Sequence, residues 1–145
     1  MSELDPKILI VYGDESVRVS LTTLLERGGF RVLQASDGTT GLDIIRTGSP
    51  DLMIVEIKMT DLSGINVLRE ARDLYPNLLI IAITAYRDIH GAARALDAGA
   101  DSYLEKPLPI QEVNRAVRQA LLIKKLKSQV KTKQAEGCLP QGEIT

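Results

Sequence analysis

Short runs of consecutive apolar residues alternate along this chain with stretches whose apolar residues recur every three or four positions. The runs are residues 7–12 (KILIVY), Arg31–Ala35, 51–57 (DLMIVEI), 78–83 (LLIIAI) and Ser102–Glu105. Uninterrupted runs of this length, rich in Ile, Leu and Val, predict strands buried on both faces. Between them lie helical patterns. Glu15–Arg27 carries Val17, Leu21, Leu24 and Leu25 on one stripe, and Gly28-Gly29 supplies a left-handed cap at its end. Asp37 is placed to cap a helix running to about Thr47, with Leu42 and Ile45 inward. Gly64–Leu74 presents Ile65, Val67 and Leu68, and Tyr75-Pro76-Asn77 ends it. An alanine-rich helix over residues 87–98 stops at Gly99. Pro109 suits the first turn of a last helix reaching at least Leu126.

Five strands thus alternate with five helices. Strands joined by helical crossovers lie parallel, and helices then cover both faces of the sheet. The fourth run is the most apolar and is expected at the centre. In an open sheet of this kind, sites form outside the carboxyl ends of the strands. The residues that matter are therefore those at 12–15, 56–59, 84–86 and 106–107.

Composition narrows the class. The chain has 145 residues, enough for one domain, with 44% hydrophobic and only 3% aromatic residues, so its core is aliphatic. Net charge is −1, which provides no general field for nucleic acid. Charge is nevertheless uneven: residues 1–123 hold 13 basic and 17 acidic side chains, whereas 124–145 hold five lysines and two glutamates. The one cysteine, Cys138, rules out a disulfide framework and suits a reducing compartment. No apolar run is long enough to span a bilayer and no signal-peptide core opens the chain, so a cytoplasmic location without membrane contact is expected.

Four segments together carry a resemblance: KILIVYGDESVR, PDLMIVEIKMTDLSGINVLRE, LLIIAITAY and ADSYLEKPL. In this order and at this spacing, over residues 7–123, the chain resembles the receiver domains of two-component response regulators. The resemblance implies a flavodoxin-like α/β fold, doubly wound, with a five-stranded parallel sheet in the order 2-1-3-4-5. It also implies a site. Two acidic residues after the first strand help hold Mg²⁺, and an aspartate ending the third strand accepts phosphate from a histidine kinase. A Ser or Thr after the fourth strand and a Lys after the fifth contact the phosphoryl group, while an aromatic on the fifth strand moves with the switch.

Part of that set is present. Thr84 matches the hydroxyl position, Tyr103 the switch aromatic, Lys106 the lysine, Pro107 the proline expected after a cis peptide, and Gly64 the glycine opening the third helix. The departures fall on the chemistry. Tyr12 and Gly13 stand at the acidic pair, Asp14 comes one place late, and Glu56 stands at the phosphoacceptor. Phosphoryl transfer depends on positioning and charge neutralisation, and Mg²⁺ needs oxygen ligands at about 2.1 Å in near-octahedral array. A phenol and a glycine provide no carboxylate. The extra methylene of Glu56 moves its carboxylate by about 1.5 Å, and a misplacement of about 1 Å costs on the order of 100-fold in rate. The expectation is a degenerate receiver with weak or lost Mg²⁺ binding, no catalytic residue and no other cofactor. Glu56 either pairs with Lys106 in imitation of the phosphorylated site or merely neutralises the lysine.

Other readings remain open at this stage. A metal site rearranged around Asp14, Glu15 and Glu56 would restore a conventional phospho-switch. A small-molecule or flavin-binding protein shares the architecture, although no glycine- or Ser/Thr-rich phosphate loop follows the first strand. The lone His90 has no companion ligand. In the last helix, Ala116, Ile123 and Val130 fall seven apart with Leu126 between them, a weak heptad seam. The expected organisation is a receiver over residues 1–126, then a helix extension and, after Ala135, a disordered tail within 127–145. Expected partners are a histidine kinase or another signalling protein, with a homodimer through the fourth helix, fifth strand and fifth helix as a candidate assembly.

Overall fold

The computed structural model describes residues 5–58 and 64–137, with side chains as far as Val130. Strands β1 (Lys7–Val11), β2 (Arg31–Ala35), β3 (Leu52–Glu56), β4 (Leu79–Thr84) and β5 (Ser102–Glu105) form one parallel sheet in the order β2-β1-β3-β4-β5. Helices α1 (Glu15–Arg27), α2 (Gly38–Gly48), α3 (Gly64–Leu74), α4 (Ile89–Ala98) and α5 (Ile110–Gly137) fill the crossovers and follow the last strand. The parallel sheet covered by helices that the pattern predicts, and the doubly wound order 2-1-3-4-5 that the resemblance implies, are therefore the architecture found. The middle of the sheet goes to β3, not to the more apolar β4, which lies between β3 and β5. All five residues of β3 are buried, so composition alone does not separate a middle strand from its interior neighbour.

The period-two alternation of strand side chains splits the core in two. Leu9, Val11, Met53, Val55, Ile80 and Ala82 pack under α2, α3 and α4. Ile8, Ile10, Leu52, Ile54, Ile81 and Ile83 pack against Leu21 and Leu25 of α1 and Val113 and Val117 of α5. Each fully buried Ile or Leu contributes roughly 1.5–3 kcal/mol of burial free energy.

Several boundaries differ from the pattern, each for a local reason. Gly29, at φ 95°, takes the left-handed position after α1, whereas Gly28 has an ordinary φ of −81°. Asp51 stays outside β3 because its side chain accepts the Lys7 amide at 2.9 Å. α4 starts at Ile89, not at Arg87, since Arg87 sits at φ 57° and Asp88 caps the helix through the Gly91 amide. α5 continues to Gly137, past Ala135, because Gln134, Ala135 and Glu136 are good helix formers even without an apolar period. The rest of the expected disordered tail lies outside the described residues. Among the described residues, no helix is long and apolar enough to cross a membrane.

Candidate functional site

Three strand ends converge at one edge of the sheet. β1 stops at Val11, and Tyr12 and Gly13 turn the chain into α1, whose first turn is capped by Asp14 accepting the Val17 amide at 3.0 Å. Arg18, within the first turns of α1, reaches back over this loop. Its Nη1 donates to the carbonyl of Tyr12 at 2.8 Å and of Gly13 at 3.3 Å, and its Nε to Gln34 at 3.2 Å. With those carbonyls held by the guanidinium, the Gly13 amide donates to Glu56 Oε1 at 3.0 Å.

Glu56 is the last residue of β3 and is buried. Its other oxygen, Oε2, lies 2.5 Å from Lys106 Nζ. Lys106 follows β5, is fixed by its amide donating to the Thr84 carbonyl at 2.8 Å, and leads into a cis peptide with Pro107. Its ammonium also stands 5.4 Å from the centroid of the Tyr12 ring, within cation–π range. Tyr12, Gly13, Glu56 and Lys106 thus form one cluster. Asp14 is turned to its helix cap, and His90 is exposed on α4.

Thr84 and Tyr103 do not join the cluster. The Thr84 hydroxyl is buried and finds no partner among the described residues. Tyr103 remains 42% exposed. A buried hydroxyl without a partner costs roughly 1–3 kcal/mol, so the shape-matched Thr84→Val is expected to keep or raise the melting temperature, by up to about 1 kcal/mol of stability. A fall of more than about 1 kcal/mol in chemical denaturation would reveal a partner for the hydroxyl.

The cluster shifts two protonation equilibria. Burial pulls the Lys106 ammonium down, but the hydrogen bond and charge of Glu56, aided by Tyr12, outweigh it and hold its pKa above the ordinary lysine value. Burial pushes the Tyr12 phenol up; Lys106 opposes the shift and the Glu56 charge adds to it, leaving the phenol above its ordinary value. Both folded pKa values are raised, so the stability these groups contribute is complete below their unfolded values, about 10. It is lost as pH rises through the folded values. In an alkaline titration followed by phenolate absorbance, Tyr12 is expected to ionise above the ordinary tyrosine value, together with loss of structure. A Tyr12→Phe variant whose titration curve matches that of the natural chain above the ordinary tyrosine value would contradict this.

The sequence matches the family model of the response regulator receiver domain over residues 8–118. This chain belongs to that family. Among curated relatives, the receiver is 33% identical over 125 residues to the regulatory protein AtoC of Escherichia coli (strain K12), covering 86% of this chain and 27% of that protein. It is 36% identical over 115 residues to the response regulator MprA of Mycobacterium sp. (strain KMS), covering 79% of this chain and 50% of that protein. The chain therefore spans half or less of the curated relatives it matches. A solved CheY-like receiver domain protein from Methanospirillum hungatei JF-1 superposes with a TM-score of 0.81 at 28% identity, covering 85% of this chain and 98% of that one.

Receivers in general hold Mg²⁺ at the phosphorylation site, and the donors of this receiver can be tested against that ion. The positions assigned to the acidic pair bring a buried phenol ring and a hydrogen. Glu56 has one oxygen on an amide and the other on an ammonium. Among the described residues, no three His, Cys, Asp or Glu side chains converge as a metal-binding group. This donor set does not fit an oxygen cage for Mg²⁺; of the alternative trio Asp14, Glu15 and Glu56, Asp14 is engaged by the Val17 amide and Glu56 by the Gly13 amide and the Lys106 ammonium.

Two contributors escaped the residue-level reading. Gly13 stands out in the sequence only for the carboxylate it lacks, whereas its backbone amide is the donor that holds Glu56. Arg18 closes the segment KILIVYGDESVR but was given no role there; the signal that could have found it is its place, four residues after Asp14, from which a long side chain can reach the preceding loop.

Proposed function

We propose that this receiver works without being phosphorylated, as a non-enzymatic protein-interaction module of a two-component pathway in the cytoplasm. The observation that carries the reading is the double engagement of Glu56. Its two oxygens are held by the Gly13 amide at 3.0 Å and the Lys106 ammonium at 2.5 Å. The lysine that would meet an incoming phosphoryl group is already neutralised, and no carboxylate pair stands ready to gather Mg²⁺, so metal binding is weak or lost. The pair reproduces only part of a phosphorylated site, since Thr84 and Tyr103 are not drawn to it. Glu56 then acts as a fixed counter-charge that keeps the site in one state.

Partners of such a module would be a histidine kinase or another signalling protein, bound through the surface of α4 and β5. Tyr86, Ile89 and Tyr103 are exposed there. Arg87 lies over the Tyr86 ring at 5.0 Å and donates its amide to Glu105 at 3.2 Å, which fixes the loop before α4.

The test is incubation with acetyl phosphate and Mg²⁺ followed by intact-mass measurement. The natural chain is expected to stay unmodified. Glu56→Gln, also unmodified, should lose about 1–2 kcal/mol of stability; a deeply buried charge pair broken on one side costs more and a surface pair less. Uptake of label by the natural chain, abolished in Glu56→Gln, would overturn the proposal.

A further inference from the structure

A cleft of about 830 Å³ opens at the end of the sheet opposite Glu56, between α5 and the first residues of β4 and β5. Leu79 opens β4 there, whereas Thr84 closes the same strand beside Lys106, about 16 Å away at roughly 3.3 Å per residue. The volume falls within the range of small-molecule sites, roughly 300–1,000 Å³. An aliphatic strip of Leu79, Ala116, Ala120 and the half-exposed Ile123 lines the cleft. Its charges are one-sided. Arg72 and Asp101 cancel in an ion pair at 2.9 Å. Lys124 donates to the Asn77 carbonyl at 2.6 Å, a neutral acceptor that leaves the ammonium's charge uncompensated. Lys127 is exposed on the same wall, one turn further along α5. Among the described residues, neither lysine forms an ion pair. The carbonyls that would repel an anion are covered, because Arg72 donates to those of Gly99, Pro76 and Leu78 at 2.9, 2.8 and 2.6 Å.

We infer that this cleft binds a small organic acid, a carboxylate carried on an aliphatic body. The two features select the occupant together. Lys124 and Lys127 are three residues apart on one helix face, with Cβ atoms about 5–6 Å from each other, so one carboxylate can bridge both ammonium groups. From Ile123 to Ala116 the aliphatic strip runs about 10 Å along α5 at 1.5 Å per residue, which sets the length of the body. A neutral apolar molecule would leave the two cations unused, and a bare inorganic anion would leave the strip in water. On binding, the carboxylate replaces the Asn77 carbonyl as the acceptor for Lys124 and gives Lys127 its first partner. The cleft shares no residue with the cluster of Tyr12, Gly13, Glu56 and Lys106, so the site stands whether or not this receiver is phosphorylated.

The test titrates the full chain with octanoate and follows amide chemical shifts by NMR. Saturable shifts are expected at Leu79, Ser102, Ala120 and Ile123, with Gly13 and Lys106 unmoved, and a Kd on the order of 1 mM, as ligand efficiency allows for so small a molecule. Octan-1-ol, which has the same body without the charge, should bind at least about 10-fold more weakly. Lys124→Gln/Lys127→Gln should weaken octanoate about 10-fold. Ile123→Glu should abolish binding, because its carboxylate stands four residues before Lys127 and takes up that lysine's charge. None of the replaced side chains is buried, so both variants should melt with the natural chain. Tyr103→Glu, on the other surface, should bind as the natural chain does. The inference is overturned if no saturable shift develops at octanoate concentrations about 20-fold above that Kd, or if the shifts centre on Tyr86, Ile89 and Tyr103. Octan-1-ol binding as tightly as octanoate, or unchanged affinity in Lys124→Gln/Lys127→Gln, would also overturn it, by reducing the cleft to an apolar patch without a carboxylate site.

Discussion

The variant Tyr12→Asp/Gly13→Asp/Glu56→Asp is expected to take up label from acetyl phosphate in Mg²⁺ at least about 100-fold faster than the natural chain, a gain on the scale of about 1 Å of repositioning. Each substitution addresses a separate defect. Asp at 12 and 13 supplies the two carboxylates that the loop after β1 lacks. Gly13 can accept a side chain: its φ is not in the left-handed region, and a Cβ there would meet Glu56 Oε1 at 3.5 Å and the Ser36 carbonyl oxygen at 4.0 Å, both ordinary contacts. Asp at 56 withdraws the carboxylate by about one carbon–carbon bond, about 1.5 Å, and leaves room beside Lys106 for a phosphoryl group. Loss of the buried Tyr12 ring costs stability, roughly 3 kcal/mol or more if nothing fills the space; hydrated metal is the expected filler, so Mg²⁺ should raise the melting temperature of the triple variant. Glu56→Asp alone should remain unlabelled for want of a metal site, and Tyr12→Asp/Gly13→Asp alone for want of a correctly placed acceptor. A triple variant that folds, binds Mg²⁺ and still takes no label would place the defect elsewhere than in these three residues.

The parts of this molecule that were legible in the sequence are those in which residue type and physical role coincide. A strand buried on both faces must be apolar throughout, so residues 52–56 and 79–84 announce themselves to within a residue. Parallel topology brings strand ends together, so Glu56 and Lys106 could be assigned to one edge although they are 50 positions apart. What escaped was carried by the backbone or by a side chain of unspecific type. The Gly13 amide is a donor that every residue but proline possesses. Arg18 becomes important through what its guanidinium reaches, not through its identity. The strand order 2-1-3-4-5 is the one found, but the middle place expected for the fourth run belongs to β3; β3 is buried throughout and β4 in all but its first residue, so apolar content does not rank them. Arg87 breaks the start of α4 because Glu105 holds its amide from another strand, a contact with no trace in the local pattern.

Gly64→Ala is expected to be the most damaging single methyl group that can be added near the site, costing about 3 kcal/mol or more and lowering the melting temperature by roughly 10 °C. Gly64 opens α3, and its amide donates to the Ile57 carbonyl at 2.8 Å, tying the helix start to the end of β3. A Cβ there would fall inside the carbonyl oxygen of Glu56 and stand 2.6 Å from the Cα and carbonyl oxygen of Ile57. These are backbone atoms at the end of β3: Glu56 is paired with Ile83 of β4 and the Ile57 amide donates to the Ile83 carbonyl at 3.0 Å, so they cannot swing away as a side-chain tip would. Either α3 retreats or the strand end bends, and bending moves the residue that carries the carboxylate. Gly29→Ala separates this steric effect from conformational strain: Gly29 sits at φ 95° with nothing within 4 Å of a built Cβ. Its cost should therefore be only the left-handed penalty, roughly 1–2 kcal/mol. Folded Gly64→Ala should also show a displaced Lys106 ammonium resonance by NMR, because the Glu56 carboxylate moves with its backbone, whereas Gly29→Ala should leave that resonance in place. If denaturant unfolding finds Gly64→Ala the milder of the two, the close seating of α3 on the end of β3 is not what positions Glu56.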